Sequence, residues 1–161
     1  MPQLLPGSDL YFLLWDVARL WRQALERAVG SSGLALTAGE VRTLANVAHY
    51  GGLRQTALAE RMGIEPMTLS GFLEPLEKQG LVTRSVDPTD RRAKVIEATP
   101  AAFEVFERLR VPVGSIFDEV TTSVGPLSVE TLEALLLAMR GALGSVSAAP
   151  TPAPAVLPKV A

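Results

Sequence analysis

The chain has 161 residues, 48% of them hydrophobic and 20% charged, with a formal net charge of −2 and a pI near 5.5. This length and apolar fraction suit one soluble domain with its own core. The absence of cysteine excludes disulfides, thiolate metal sites and thiol-oxidation switches, and the single histidine, His49, leaves any metal site almost entirely carboxylate and any nucleophilic arrangement with one base. Catalysis is therefore not expected, nor is a metal or other cofactor. No run approaches the ~18 apolar residues of a membrane span, and no leader pattern opens the chain, so the expectation is a cytoplasmic protein without a membrane partner.

Residues 1–7 contain Pro2, Pro6 and Gly7 and read as a surface segment. Ser8 or Asp9 then caps a long helix to about Val29, because Leu10, Leu13, Leu14, Val17, Leu20, Trp21, Ala24, Leu25 and Ala28 recur at helical spacing. That stripe is wider than a small domain needs to cover, which suggests a partner subunit; an ordinary intrachain core is the alternative. Thr37-Ala38-Gly39-Glu40 has the form of a capping box and opens a second helix to about His49, with Val41, Leu44, Ala45 and Ala48 inward.

The stretch from 54 to 98 carries the densest pattern. A short helix with Leu58 and Met62 on one face stops at Gly63, and a second starts at Pro66, where a proline's missing N–H has no partner to lose. Its stripe is Leu69, Phe72, Leu73 and Leu76, closed by Gly80 as a left-handed cap. Strands Leu81–Val86 and Lys94–Ala98 follow, joined by the polar tip Asp87-Pro88-Thr89-Asp90-Arg91-Arg92-Ala93. A helix-turn-helix feeding a two-stranded, arginine-tipped ribbon is a winged helix, whose second helix suits a major groove and whose tip suits the backbone or minor groove beside it. Beyond it, Thr99 caps a helix beginning at Pro100 and running almost to Gly125, with a kink expected at Pro112. Ser128 caps a last helix with Leu132, Leu135, Leu136, Met139 and Leu143 on its apolar side, and from Ser145 the proline-rich composition reads as a mobile tail.

Three pieces in register resemble one family: Leu58-Ala59-Glu60-Arg61-Met62-Gly63-Ile64, Leu76-Glu77-Lys78-Gln79-Gly80-Leu81-Val82, and Asp87-Pro88-Thr89-Asp90-Arg91-Arg92-Ala93-Lys94 followed by Ala98-Thr99-Pro100. The block is similar to the MarR family of bacterial transcriptional regulators, and within it to the branch typified by SlyA. The resemblance implies a mainly α fold with a small β-hairpin: an N-terminal dimerisation helix over 1–36, a winged-helix DNA-binding domain over 37–99, C-terminal dimerisation helices over 100–144 and a disordered tail over 145–161. It implies a homodimer in which the first helix and the last two intertwine, and a partner DNA with a pseudo-palindromic operator whose half-sites lie about one helical turn apart. A repressor released by a small aromatic or anionic effector is the implied function.

The DNA-contacting candidates are Pro66, Met67, Thr68, Ser70 and Gly71 at the exposed start of the reading helix, and Arg84, Asp90, Arg91, Arg92 and Lys94 in the wing. Thr68 and Ser70 offer hydroxyls to bases or phosphates, and Met67 a thymine-methyl contact. The family role of the tip arginine in the minor groove falls on Arg92, with Arg91 and Lys94 on phosphates and Asp90 orienting the tip guanidinium through a bidentate pair. The wing carries the local basic excess: from 84 to 94 the four basic residues Arg84, Arg91, Arg92 and Lys94 face two acidic ones, Asp87 and Asp90. Gly71 and Pro75 stand where family members commonly carry arginine, which removes two positive charges and predicts a kinked helix with weaker base readout. In the family, effectors settle between the dimerisation helices and the DNA-binding lobe, and Tyr11, Trp15, Arg42 and His49 are the candidates for lining such a crevice. A winged-helix adaptor for other proteins, with weak or lost DNA binding, is the competing reading, permitted by the acidic pI and by Gly71 and Pro75.

Overall fold

The computed structural model describes the backbone of residues 5–148, together with the side chains of these residues other than 126–128 and 146–148. Its elements are α1 (Ser8–Ser31), α2 (Ala38–Tyr50), β1 (Leu53–Arg54), α3 (Gln55–Met62), α4 (Pro66–Lys78), β2 (Val82–Val86), β3 (Lys94–Ala98), α5 (Pro100–Val124) and α6 (Pro126–Ala148). The chain divides into two compact units, one ending at Phe117 and the other beginning at Asp118. No helix among the described residues is long and apolar enough to cross a membrane.

Local chemistry accounts for most element ends in the first unit. The capping box forms as its residues require: Thr37 Oγ1 accepts the Glu40 N–H at 3.2 Å, while Glu40 Oε2 accepts the Thr37 N–H at 2.7 Å. Helix α3 closes at Gly63, whose φ of 63° lets its N–H reach Glu60 O and lets the Ile64 N–H reach Ala59 O. Helix α4 closes in the same way: Gly80, at φ 69°, bonds back to Glu77 O, and Leu81 to Leu76 O. These paired reverse bonds use the carbonyls a helix end leaves without partners. Both α4 and α5 run on through their interior prolines, Pro75 and Pro112, as single helices.

Two expected helix starts differ, those of α1 and α6. The residue before α1 is Gly7, at φ 76° and without a side-chain cap, so neither Ser8 nor Asp9 caps that helix. The Thr99 hydroxyl, just ahead of α5, donates to Gly80 O at 2.6 Å and fastens the start of α5 to the end of α4. Helix α6 begins at Pro126, ahead of Ser128, and extends to Ala148, so residues 145–148 of the expected tail are helical; the remainder of that tail lies outside the described residues.

The sheet has three antiparallel strands in the order β1-β3-β2, one more than the sequence suggests. Val82 to Val86 pair with Ala98 to Lys94 in unbroken register, and β1 adds Leu53 opposite Ile96 and Arg54 opposite Val95. Leu44, Leu58, Leu69, Leu73, Leu76, Val82 and Ile96 are fully buried at the centre, and Val29, Ala102, Val105 and Leu109 join them from α1 and α5. Truncating one of these leucines to alanine would cost about 2–5 kcal/mol. On α2 the inward residues are Thr43, Leu44 and Val47, whereas Ala45 is exposed; the buried Thr43 satisfies its hydroxyl on Gly39 O at 2.8 Å. The Arg61 guanidinium lies 3.5 Å from the Tyr50 ring centroid, a cation–π contact between α3 and α2.

Candidate nucleic-acid interface

Helix α4, the expected reading helix, begins in the open. Pro66, Met67, Thr68 and Gly71 are exposed, Met67 at 83%, and Leu69 between them is fully buried, so one turn of α4 anchors itself inward while presenting its other face. Ser70 differs. It is half-buried, and its Oγ accepts the Gln55 side-chain amide at 3.5 Å, which sets it in the seam between α3 and α4 and away from the open face. A Cβ at Gly71 would meet nothing within 4 Å, so the missing side chain leaves open space on the helix surface.

Asp87 organises the wing. Its side chain is only 10% exposed, and it accepts from Arg54 Nε at 2.6 Å, from the Thr89 hydroxyl at 2.6 Å, from the Thr89 N–H at 2.7 Å and from the Asp90 N–H at 3.2 Å. Hydrogen bonds from Thr89 and then Arg54 hold its carboxyl well below the usual carboxylate range, against an opposing push from burial. Arg54 also donates from Nη2 to Thr89 Oγ1 at 3.0 Å, and its Nη1 lies 4.0 Å from Asp90 Oδ2. The tip is thus clamped to β1 by one guanidinium from 33 residues earlier. Sequence reasoning missed this clamp. Asp87 and Thr89, two apart, have the spacing of an Asx turn and were open to detection, but nothing near Arg54 announces its partner.

Two wing candidates, Asp90 and Arg84, are engaged within the protein. Asp90 does not pair with the Arg92 guanidinium: its Oδ1 accepts the Arg92 backbone N–H at 3.0 Å, and its other oxygen faces Arg54. Short turn geometry brings the backbone, not the long side chain, within its reach. Arg84 points back to the protein, with a side chain 18% exposed and Nε 3.0 Å from Glu77 Oε2. Its Nε and Nη2 are buried without hydrogen-bond alignment, so the attraction to Glu77 is Coulombic and the residue joins β2 to α4. Arg91, Arg92 and Lys94 are exposed, with no ion pair among the described residues.

A groove of about 870 Å³ opens between α1 and the start of α2, within the first unit. Of the four ligand candidates it gathers Trp15 and Arg42, and it adds Trp21, Arg22, Gly39 and Phe72, which sequence reasoning did not nominate. Tyr11 and His49 lie outside it; Tyr11 meets Phe12 edge to face, and His49 meets Tyr50 in the same way. A second hollow of about 580 Å³ shares Trp21, Leu25, Ala38 and Arg42 and continues along the apolar side of α5 past Phe106 and Val113. Among the described residues no group of three or more carboxylates and histidines is gathered as a metal site.

A helix-turn-helix whose second helix is open at its start, beside a clamped basic hairpin, is a winged-helix architecture. The sequence pattern of the MarR family matches residues 36–94, a span that contains the helix-turn-helix, β2 and the wing tip. Among solved structures, a MarR-family transcriptional regulator from Rhodococcus sp. RHA1 is similar at 25% identity and a TM-score of 0.70, over 85% of this chain and 96% of its own. CouR from Rhodococcus jostii RHA1, bound to p-coumaroyl-CoA, is similar at 23% identity and a TM-score of 0.67, over 85% and 95%. NadR in complex with 4-hydroxyphenylacetate is similar at 22% identity and a TM-score of 0.72, over 86% and 97%. The fold is the MarR winged-helix fold.

Proposed function

We propose that the protein is a homodimeric, DNA-binding transcriptional regulator of the MarR type, of the SlyA-like branch, acting as a repressor on a pseudo-palindromic operator. The observation that carries this reading is the wing: the Asp87–Arg54 clamp fixes a short hairpin whose exposed Arg91, Arg92 and Lys94 stand clear of any protein partner among the described residues. Fixed cations beside the open start of α4 suit a phosphate backbone and a minor groove. Fluorescence anisotropy with the DNA upstream of its own gene, at two salt concentrations, tests it. Replacing Arg91 and Arg92 together by alanine weakens retention at least ~10-fold and lowers the salt slope by about one for each phosphate that the variant no longer neutralises. Retention unchanged by that double substitution would remove the wing from the interface.

The groove supports release by a small aromatic or anionic effector. Trp15, Trp21 and Phe72 offer rings, and Arg42 offers a guanidinium without an ion-pair partner among the described residues, while Arg19 and Arg22 are engaged by Asp16 and Glu26. The relatives solved with p-coumaroyl-CoA and 4-hydroxyphenylacetate bind compounds that combine a ring with negative charge. The expected outcome is quenching of tryptophan fluorescence by 4-hydroxyphenylacetate, lost on Arg42→Ala. The adaptor reading draws on Glu74 and Glu77, exposed on α4, and on a net charge of −2. An adaptor with weak or lost DNA binding would show no specific retention with a steep salt slope.

A further inference from the structure

The reading helix reaches the groove through one side chain. Among the residues lining it, only Phe72 belongs to α4; the others come from α1 and from Thr37 through Arg42. Phe72 sits at the edge of the buried stripe of Leu69, Leu73 and Leu76 and is half-buried, one residue beyond the exposed Gly71. Its ring lies over the first turn of α2. A Cβ at Gly39 would stand 2.6 Å from the Phe72 Cε1 and 2.7 Å from Cζ, far inside van der Waals contact. Gly39 needs no left-handed backbone and weakens its helix relative to alanine, so the close approach of the ring is what this glycine serves. The ring occupies a notch that exists only because residue 39 has no side chain.

We propose that Phe72 and Gly39 form the positioning pair that couples the groove to the reading helix. With the ring seated in the notch, α4 rests at its DNA-reading angle. An apolar ligand group that takes the notch expels the ring, which then wedges α4 away from α2. This deepens the regulatory reading above and rests on it for the consequence at DNA. Leu69 and Leu73 flank the ring and are fully buried, so α4 answers the wedge as a unit and not by local fraying. A ligand shifts that equilibrium only by its preference for the unseated state.

The test needs no ligand. In the full chain, Gly39→Ala denies the ring its seat. The expected result is about a tenfold weaker affinity for a duplex the wild type retains, the scale of a modest coupling between sites, with faster amide hydrogen exchange over residues 69–74. Adding Phe72→Leu, which lacks the two clashing ring atoms, restores both. Wild-type affinity and exchange in Gly39→Ala overturn the proposal, as does a double variant that recovers neither. If Gly39→Ala fails to fold, Phe72→Trp overfills the same notch from α4 and is expected to give the same two losses; wild-type values there overturn the proposal as well. Should the wild type retain no DNA, the regulatory reading falls by itself, and the exchange comparison still decides whether the notch moves the helix.

Discussion

Asp87 shows how one carboxylate can set the aim of other side chains. It bonds to neither Arg91 nor Arg92, yet it holds the turn that both stand on. Asp87→Ala is expected to leave helix content intact, lower the melting temperature and weaken DNA retention even though both arginines remain; circular dichroism and anisotropy on one sample check this. The pH dependence follows from the depressed folded-state value. A carboxyl whose folded pKa lies below its unfolded one contributes stability that is fully present above the unfolded value of about 4 and is lost as pH falls through the folded value. The wing is therefore expected to stay clamped from pH 5 to 8. A fall in retention across that range that is absent from Asp87→Asn would contradict this account. The residue's name and turn position were readable from Asp-Pro-Thr-Asp, but the direction of Arg54 was not, because a contact across 33 residues leaves no local trace.

At the scale of elements, legibility followed how strongly local chemistry specifies a backbone. Helices α2, α3 and α4 were readable nearly to the residue, since a capping box and left-handed glycines specify ends by hydrogen bonding over four or five positions. Strand β1 was invisible, because two residues cannot display an alternation and pairing with β3 is decided by the fold. The groove was half legible: Trp15 and Arg42 were named, but Gly39 and Phe72 acquire meaning only where two helices cross. Gly71 is the position where an element's own propensity and its function separate. Gly71→Ala is expected to raise stability by about 0.5–1 kcal/mol through helix propensity and leave DNA affinity unchanged. Gly71→Arg, with open space around it, is expected to tighten DNA binding by roughly 1 kcal/mol or more, the low end for an arginine reaching a base edge. Urea denaturation and anisotropy separate the two effects. An arginine variant that binds no better than the alanine variant would show that this face of α4 does not approach the duplex.

At the scale of the molecule, each unit carries large apolar side chains that are exposed among the described residues. In the first unit Leu10, Leu13, Val17 and Leu20 run at three- and four-residue steps along α1 and are 50–61% exposed, so the stripe that the sequence spaces for burial lies in solvent. In the second unit Leu132, Leu135, Leu136, Leu137 and Leu143 of α6 are all exposed as well. Contiguous apolar stripes of this kind mark association surfaces, and two-fold pairing is the closed arrangement that also presents two reading helices to two half-sites. In the proposed dimer, linking two half-site contacts would make the second one effectively intramolecular, so affinity is expected to depend on the pairing far more steeply than on any single wing contact. A charge placed in the α1 stripe should therefore act at a distance: Leu13→Glu combined with Leu20→Glu is expected to convert a dimer into a monomer and to weaken operator binding at least ~100-fold, although neither residue lies in the winged helix. Sedimentation velocity at micromolar concentration, with anisotropy on the same sample, measures both. A wild-type protein that sediments as a monomer would leave the exposed stripes unexplained and the two-half-site mechanism without its second subunit.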